Sequence, residues 1–344
     1  MSDRPASAES VTVTAETVNP SVDGATPTEG VTASETSEKK QNENTDNKDD
    51  TSRPPLDEGR MAVVGNISRA VADGDLFRKV ELGDPRPTDE DIRRVILPFD
   101  NLRRRMGARL RAAIARLIAN VAARKMAGRV EIVGLENLAA VKGGVIMTSN
   151  HYAPVDSLPP RLAVLRSGRR RMNIVVQEGN IFMTGFFGFL MRNANTLPVS
   201  KNLSYMARNL KPAIGELLAR GELILIYPEA EMWFNYKKPR EYMDGAYYYA
   251  VEFDKPIIPC FTTFREGEGY DKSGVRNLIY TLHIMPPIYP DATLDKRARR
   301  DKMRKADRAA KLAAYERAYG YPPPDGFDPS RDIAGLSDLG ATIN

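Results

Sequence analysis

Apolar and polar positions change their period along this chain. Short apolar runs bounded by turn residues occur at 144–148, 173–177, 223–227, 256–261 and 278–285. Runs of that length, rich in Val, Ile and Leu, read as buried strands. Between them, Leu158 to Leu165, Ser204 to Ala219 and Tyr247 to Glu252 follow helical spacing. The alternation predicts an α/β fold, a mixed and largely parallel sheet covered by helices.

The flanks read differently. Leu102, Met106, Leu110, Ile114, Leu117 and Val121 recur at helical spacing among seven arginines, predicting an N-terminal basic amphipathic helix over Leu102–Met126. Such a stripe suits either the surface of an anionic bilayer or the protein's own core. Ile181 to Met191 is aromatic and glycine-rich, too short to span a bilayer, and suits a membrane-dipping surface or a buried helix. Residues 295–318 form a charged helical pattern read as a solvated helix, ended by Pro322-Pro323-Pro324, and the last twenty residues read as loosely structured.

Composition separates the N-terminus from the rest. Residues 1–60 hold no aromatic side chain and carry 13 acidic and 6 basic ones, a net −7 that leaves about +12 on the rest of a chain totalling +5. The segment cannot bury enough apolar surface to offset its ordering entropy, so it reads as a disordered acidic tail. It has no apolar core of a secretory signal. The expected divisions are therefore a tail (1–60), a helical basic membrane-facing segment (61–128), an α/β core (129–290) and a charged helix with a tail (291–344). The positive surplus points to anionic partners. Two histidines and the single Cys260 argue against a zinc site or an intrachain disulfide. Cys260 reads as a small core residue.

The chemistry concentrates in Ser149-Asn150-His151-Tyr152-Ala153-Pro154-Val155-Asp156. An imidazole takes a proton near neutral pH, and a carboxylate on its other ring nitrogen stabilises the resulting cation. Residues five apart do not face one another on a helix, so His151 and Asp156 meet across a turn that Pro154 supports. That turn follows the 144–148 strand, where open α/β sheets place their sites. A purely structural reading makes Asp156 a helix cap. A second apolar run ends in Tyr227-Pro228-Glu229, and Glu231 to Arg240 interleaves aromatics with Lys237, Lys238 and Arg240, a composition suited to phosphate, a stacked base or lipid headgroups.

Together these pieces resemble the glycerolipid acyltransferases, the 1-acylglycerol-3-phosphate acyltransferase group. Asn150-His151 through Asp156 resembles its NHxxxxD box, Tyr227-Pro228-Glu229 the start of FPEGTR, Pro256-Ile257-Ile258-Pro259 its VPIIPV strand, and Asn195 to Lys201 its second box. The resemblance covers roughly residues 130–290. It implies acyl transfer from acyl-CoA or acyl-carrier protein to a lysophospholipid hydroxyl, on the cytoplasmic face of a membrane, with a peripheral or monotopic attachment. His151 and Asp156 would be catalytic, with oxyanion amides expected at the helix start after Asp156. Asn150, Arg192, Lys201, Glu229, Lys237, Lys238 and Arg240 would bind substrate. No cofactor or metal is implied.

The chain departs from the family's pattern. Ala230-Glu231-Met232 stands where the family has Gly-Thr-Arg, Asn195 where it has Gly, and Lys201 where it has Arg. These changes leave open another lysolipid or a glycolipid as acceptor. Thioester hydrolysis is a further alternative, although no GxSxG elbow is present. A basic nucleic-acid-binding module would explain the charge but not the His-Asp box, and the aromatic RNA-binding motifs are absent. Oligomeric state is not legible.

Overall fold

Seven strands form one sheet in the order β1-β7-β6-β2-β5-β3-β4, in a computed structural model that describes residues 54–97, 106–169 and 171–339. They are β1 (Val130–Val133), β2 (Val145–Thr148), β3 (Met172–Gln177), β4 (Thr196–Val199), β5 (Leu223–Ile226), β6 (Ile257–Tyr270) and β7 (Arg276–Ile284). β6, β2, β5, β3 and β4 run parallel, β7 pairs antiparallel with β6, and β1 runs parallel to β7. β2 and β5 are buried along their whole length, which is why their sequences are continuous apolar runs. The mixed, largely parallel sheet is the one the alternation predicts. β1 and β4, four residues each, are additions to the predicted set.

The main helices are α1 (Glu58–Ala72), α2 (Met106–Lys125), α3 (Leu158–Arg166), α4 (Gly185–Asn193), α5 (Lys211–Ala219), α6 (Gly245–Glu252) and α7 (Lys296–Tyr319). α1 starts where the Asp57 side chain accepts the amides of Gly59 and Arg60. That start lies inside the segment read as tail, of which residues 1–53 are outside the described residues. Leu102 to Arg105 of the predicted amphipathic helix lie outside them too.

α2 does not pack by its large apolar side chains. Ala115, Ala119 and Ala123 are buried, while Leu110, Ile114, Leu117 and Val121 are exposed, Leu110 to 65%. The small residues permit close approach to α3, which α2 crosses.

α7 is not simply solvated. Its inner face buries Met303, Asp307, Lys311, Ala314 and Tyr315. Asp307 accepts hydrogen bonds from Thr148 (3.0 Å) and Tyr247 (2.6 Å) and pairs with Lys311 (3.1 Å), so the helix is hooked onto the end of β2. Residues of the C-terminal segment up to 339 also pack. Ile333 and Leu336 are fully buried in a second core with Val63, Ile67, Trp233 and Tyr236, joining α1 to the loop after β5. Cys260 lies in the main core.

Candidate active site

His151 lies just beyond the carboxyl end of β2, and Tyr227 to Glu229 lie beyond β5 beside it. The chain turns at Ala153–Asp156, bringing Asp156 Oδ2 to 2.5 Å from His151 Nδ1. Oδ2 also accepts the amides of Tyr152 (3.0 Å) and Ala153 (3.4 Å), and Oδ1 accepts the Tyr227 hydroxyl at 2.6 Å. Four donors thus converge on this buried carboxyl. With Nδ1 bonded to that carboxylate, the neutral imidazole keeps Nε2 as its basic nitrogen. His151 is partly exposed while Asp156 is 3% exposed.

Tyr227 holds the ring as well as the acid. Its ring stacks on the imidazole at 4.3 Å between centroids and 16° between planes. Burial, then the Asp156 charge, push its phenol well above the ordinary tyrosine range, so it remains a donor. The family box has Phe here, which offers stacking but no hydroxyl.

The backbone of the His151 loop is tied on both sides. The His151 amide donates to Glu229 Oε2 (3.2 Å), its carbonyl accepts the Trp233 amide (3.0 Å), and the Tyr152 carbonyl accepts the Asn235 amide (2.9 Å). Asn150 exchanges two hydrogen bonds with the Thr262 backbone, at 2.8 and 3.0 Å. In place of the expected substrate contact, its amide joins β2 to β6.

The expected phosphate-binding cations are mostly occupied. Arg240 is buried, pairs with Glu229 at 3.1 Å, donates to the carbonyls of Leu76 and Glu231, and lies 4.5 Å from the Trp233 ring. Glu229 also accepts the Arg240 amide (3.2 Å), so it fixes the two loops rather than presenting a free carboxylate to an acceptor. Lys238 donates to Asp332 (2.9 Å), Pro324 O (3.1 Å) and Gly326 O (2.7 Å), which uses all three of its protons. Lys237 faces the Tyr319 ring, and burial depresses its ammonium below the ordinary lysine range. Arg192 caps the carbonyls of Ile181 (3.1 Å) and Met183 (2.6 Å). Lys201 is exposed beyond β4, which stands three strands from β2, about 14 Å at the usual strand spacing.

The helix start after Asp156 offers few oxyanion donors. The amides of Asp156 and Leu158 bond the carbonyls of Ala153 and Val155, and Pro159 and Pro160 have none. Two of the family's glycine positions have positive φ here, Ala230 (64°) and Asn195 (61°). The geometry demanded of glycine persists without it. Among the described residues no group of three or more His, Cys, Asp or Glu side chains is arranged to hold a metal.

Sequence reasoning named Tyr227 only as part of the Tyr227-Pro228-Glu229 turn and missed that its hydroxyl and ring hold the dyad.

Residues 129–263 match the Acyltransferase family, a span that runs from just before β1 into β6 and includes the dyad and Glu229. No curated protein matches the chain. Among solved structures, it is similar to the 1-acyl-sn-glycerophosphate (LPA) acyltransferase PlsC from Thermotoga maritima, at 14% identity and a TM-score of 0.42, over 67% of this chain and 89% of that one.

Proposed function

We propose that this chain, which carries an acyltransferase-family domain at residues 129–263, transfers a fatty acyl group from acyl-CoA or acyl-carrier protein to a lysophospholipid hydroxyl, with 1-acylglycerol-3-phosphate the first candidate acceptor. The observation that carries this reading is the 2.5 Å contact between His151 Nδ1 and the buried Asp156. As the acceptor oxygen attacks the thioester carbonyl, His151 Nε2 takes its proton. The tetrahedral intermediate then expels the thiolate, which receives that proton from the imidazolium. The products are an ester and a free thiol, with no covalent enzyme intermediate. Asp156 orients the ring and balances its positive charge, and Tyr227 fixes both. General-base help of this kind accelerates transfer by roughly 10²- to 10⁴-fold.

The outward apolar face of α2 supports a peripheral attachment to an anionic membrane. Exposed Leu110, Ile114, Leu117 and Val121 lie among exposed Arg109, Arg111 and Arg124, and Phe186 on the adjoining α4 is 64% exposed. This arrangement suits a helix lying in the interface, the apolar face in acyl chains and the arginines at headgroups. Among the described residues no helix is long and apolar enough to cross a bilayer.

The test is labelled acyl-CoA or acyl-carrier protein with a panel of lysolipids, read by lipid chromatography. His151→Ala should lower transfer at least 100-fold with the fold intact by circular dichroism. Wild-type turnover in that variant rejects the dyad. Acceptor-independent release of free fatty acid assigns hydrolysis instead.

A further inference from the structure

Arg161 is the least compensated charge near the dyad. It lies in the first turn of α3, shortly after Asp156, and only 3% of it is exposed. Its one side-chain partner among the described residues is neutral: Nη1 donates to Asn120 Oδ1 at 3.3 Å. Its Nε is shut from solvent with no partner among the described residues. Burial pushes the guanidinium down to about 10, and the positive charge of Arg116 opposes it further, while the Tyr227 phenol works the other way. No carboxylate among the described residues forms an ion pair with it.

A buried guanidinium without a counter-ion is costly, and proteins keep one where something else supplies the charge. The neighbours point to what that is. Arg116 and Asn120 are four apart on α2 and so share the face turned toward α3. Among the described residues Arg116 Nη1 hydrogen-bonds the neutral Asn195 Oδ1, at 3.5 Å, just before β4. Two arginines thus lie on the inner side of α2, close enough for their like charges to act on one another, with amide oxygens for company. The exposed apolar stripe of α2 lies about a third of a turn round the helix from that face. A guanidinium's planar fork matches phosphate oxygens better than any other side chain does. The family's own arginine after the Pro-Glu turn is Met232 here, and the cations of the 237–240 loop are engaged in the protein.

We propose that Arg161, with Arg116 beside it, binds a phosphoryl group of a substrate at the α2–α3 junction. This rests on the acyl-transfer reading for its role but not for its existence. Both an acceptor headgroup and the CoA donor carry phosphate. Arg161 lies against α2 and five residues after Asp156, so a phosphoryl group held there sits on the α2 side of the dyad.

Arg161→Met keeps the side chain's length and removes its charge. Thermal unfolding of the full-length wild type and variant is followed without ligand, with sn-glycerol 3-phosphate and with CoA. Acceptor and donor KM are measured alongside. The wild type should be stabilised by at least one of the two ligands and the variant by neither. The KM of the substrate bearing that phosphate should rise at least tenfold, with the other KM unchanged. Stabilisation by sn-glycerol 3-phosphate assigns the acceptor as the source, and stabilisation by CoA alone assigns the donor. The ligand-free variant should melt at the same temperature or higher, since an uncompensated charge has gone, whereas a structural arginine would leave it less stable. Arg116→Gln should raise the same KM by a smaller factor.

The proposal is overturned if neither ligand stabilises the wild type, if the stabilisation survives in Arg161→Met, or if the variant loses stability with both KM values unchanged. If the wild type acylates no lysolipid yet its phosphate-induced stabilisation requires Arg161, the acyl-transfer reading falls and the anion site stands.

Discussion

Two buried arginines lie near the dyad, one linked to the His151 loop through Glu229 and one on the helix that follows Asp156, and they are in opposite situations. Arg240 faces the Glu229 carboxylate at 3.1 Å, fills its terminal nitrogens with backbone carbonyls and lies on Trp233. Arg161 has one neutral amide oxygen and a like charge nearby. Each has an Nε without a partner among the described residues, so a missing hydrogen bond does not separate them. The balance of charge does. A compensated guanidinium serves the fold, because its attraction to a fixed anion is spent inside the protein. An uncompensated one retains that attraction for a ligand.

The contrast breaks most sharply at Arg240. Arg240→Ala strands the buried Glu229 carboxylate and should cost about 3–5 kcal/mol in denaturant-induced unfolding. A loss below 1 kcal/mol would mean that Glu229 needs no counter-ion, and the distinction between the two arginines would go with it.

Tyr227 donates its hydroxyl to Asp156 and is close enough to Arg161 to influence its charge. Tyr227→Phe keeps the stack on His151 but removes a hydrogen bond to a charged group, worth about 1.5–3 kcal/mol of stability. It should also lower kcat/KM for acyl transfer, because the ring and the carboxyl that orients it are held less firmly. A kcat/KM equal to that of the wild type contradicts the positioning role.

The smallest effect is expected at Ala230, beside the Glu231 carbonyl that Arg240 holds. Its φ of 64° strains a residue with a Cβ by about 1–2 kcal/mol. Glycine there relieves the strain but loses about 0.4–1 kcal/mol to a freer unfolded chain. Ala230→Gly should therefore gain about 0.5–1 kcal/mol by chemical denaturation. A net loss would show that the loop, not the backbone preference, sets this conformation.

The dyad was legible because it is local. Its members are five residues apart, on a turn that Pro154 enforces at the end of an apolar run, and nothing distant is needed to bring them together. The sheet was legible for the same reason: the apolar runs of β2 and β5 are the buried strands. The cations were not legible, because a lysine's role depends on which anion reaches it. Lys238 meets Asp332, 94 residues on, in a segment whose polar composition hid two core residues, Ile333 and Leu336. Amphipathicity likewise identified α2 but assigned no side to its stripe. Hydrophobic spacing names a face, whereas the alanines Ala115, Ala119 and Ala123 fix which face turns inward.

The attachment of that late segment has a temporal consequence. Ile333 bridges to Tyr236, and the Ala334 amide donates to the Asn235 carbonyl, in the loop whose Trp233 and Asn235 amides secure His151 and Tyr152. A ribosome delivers the dyad long before it delivers the clasp. The nascent chain therefore holds His151 and Asp156 while the loop that ties their backbone is still unlatched, and that loop can be clasped only after residues 333–336 have left the exit tunnel.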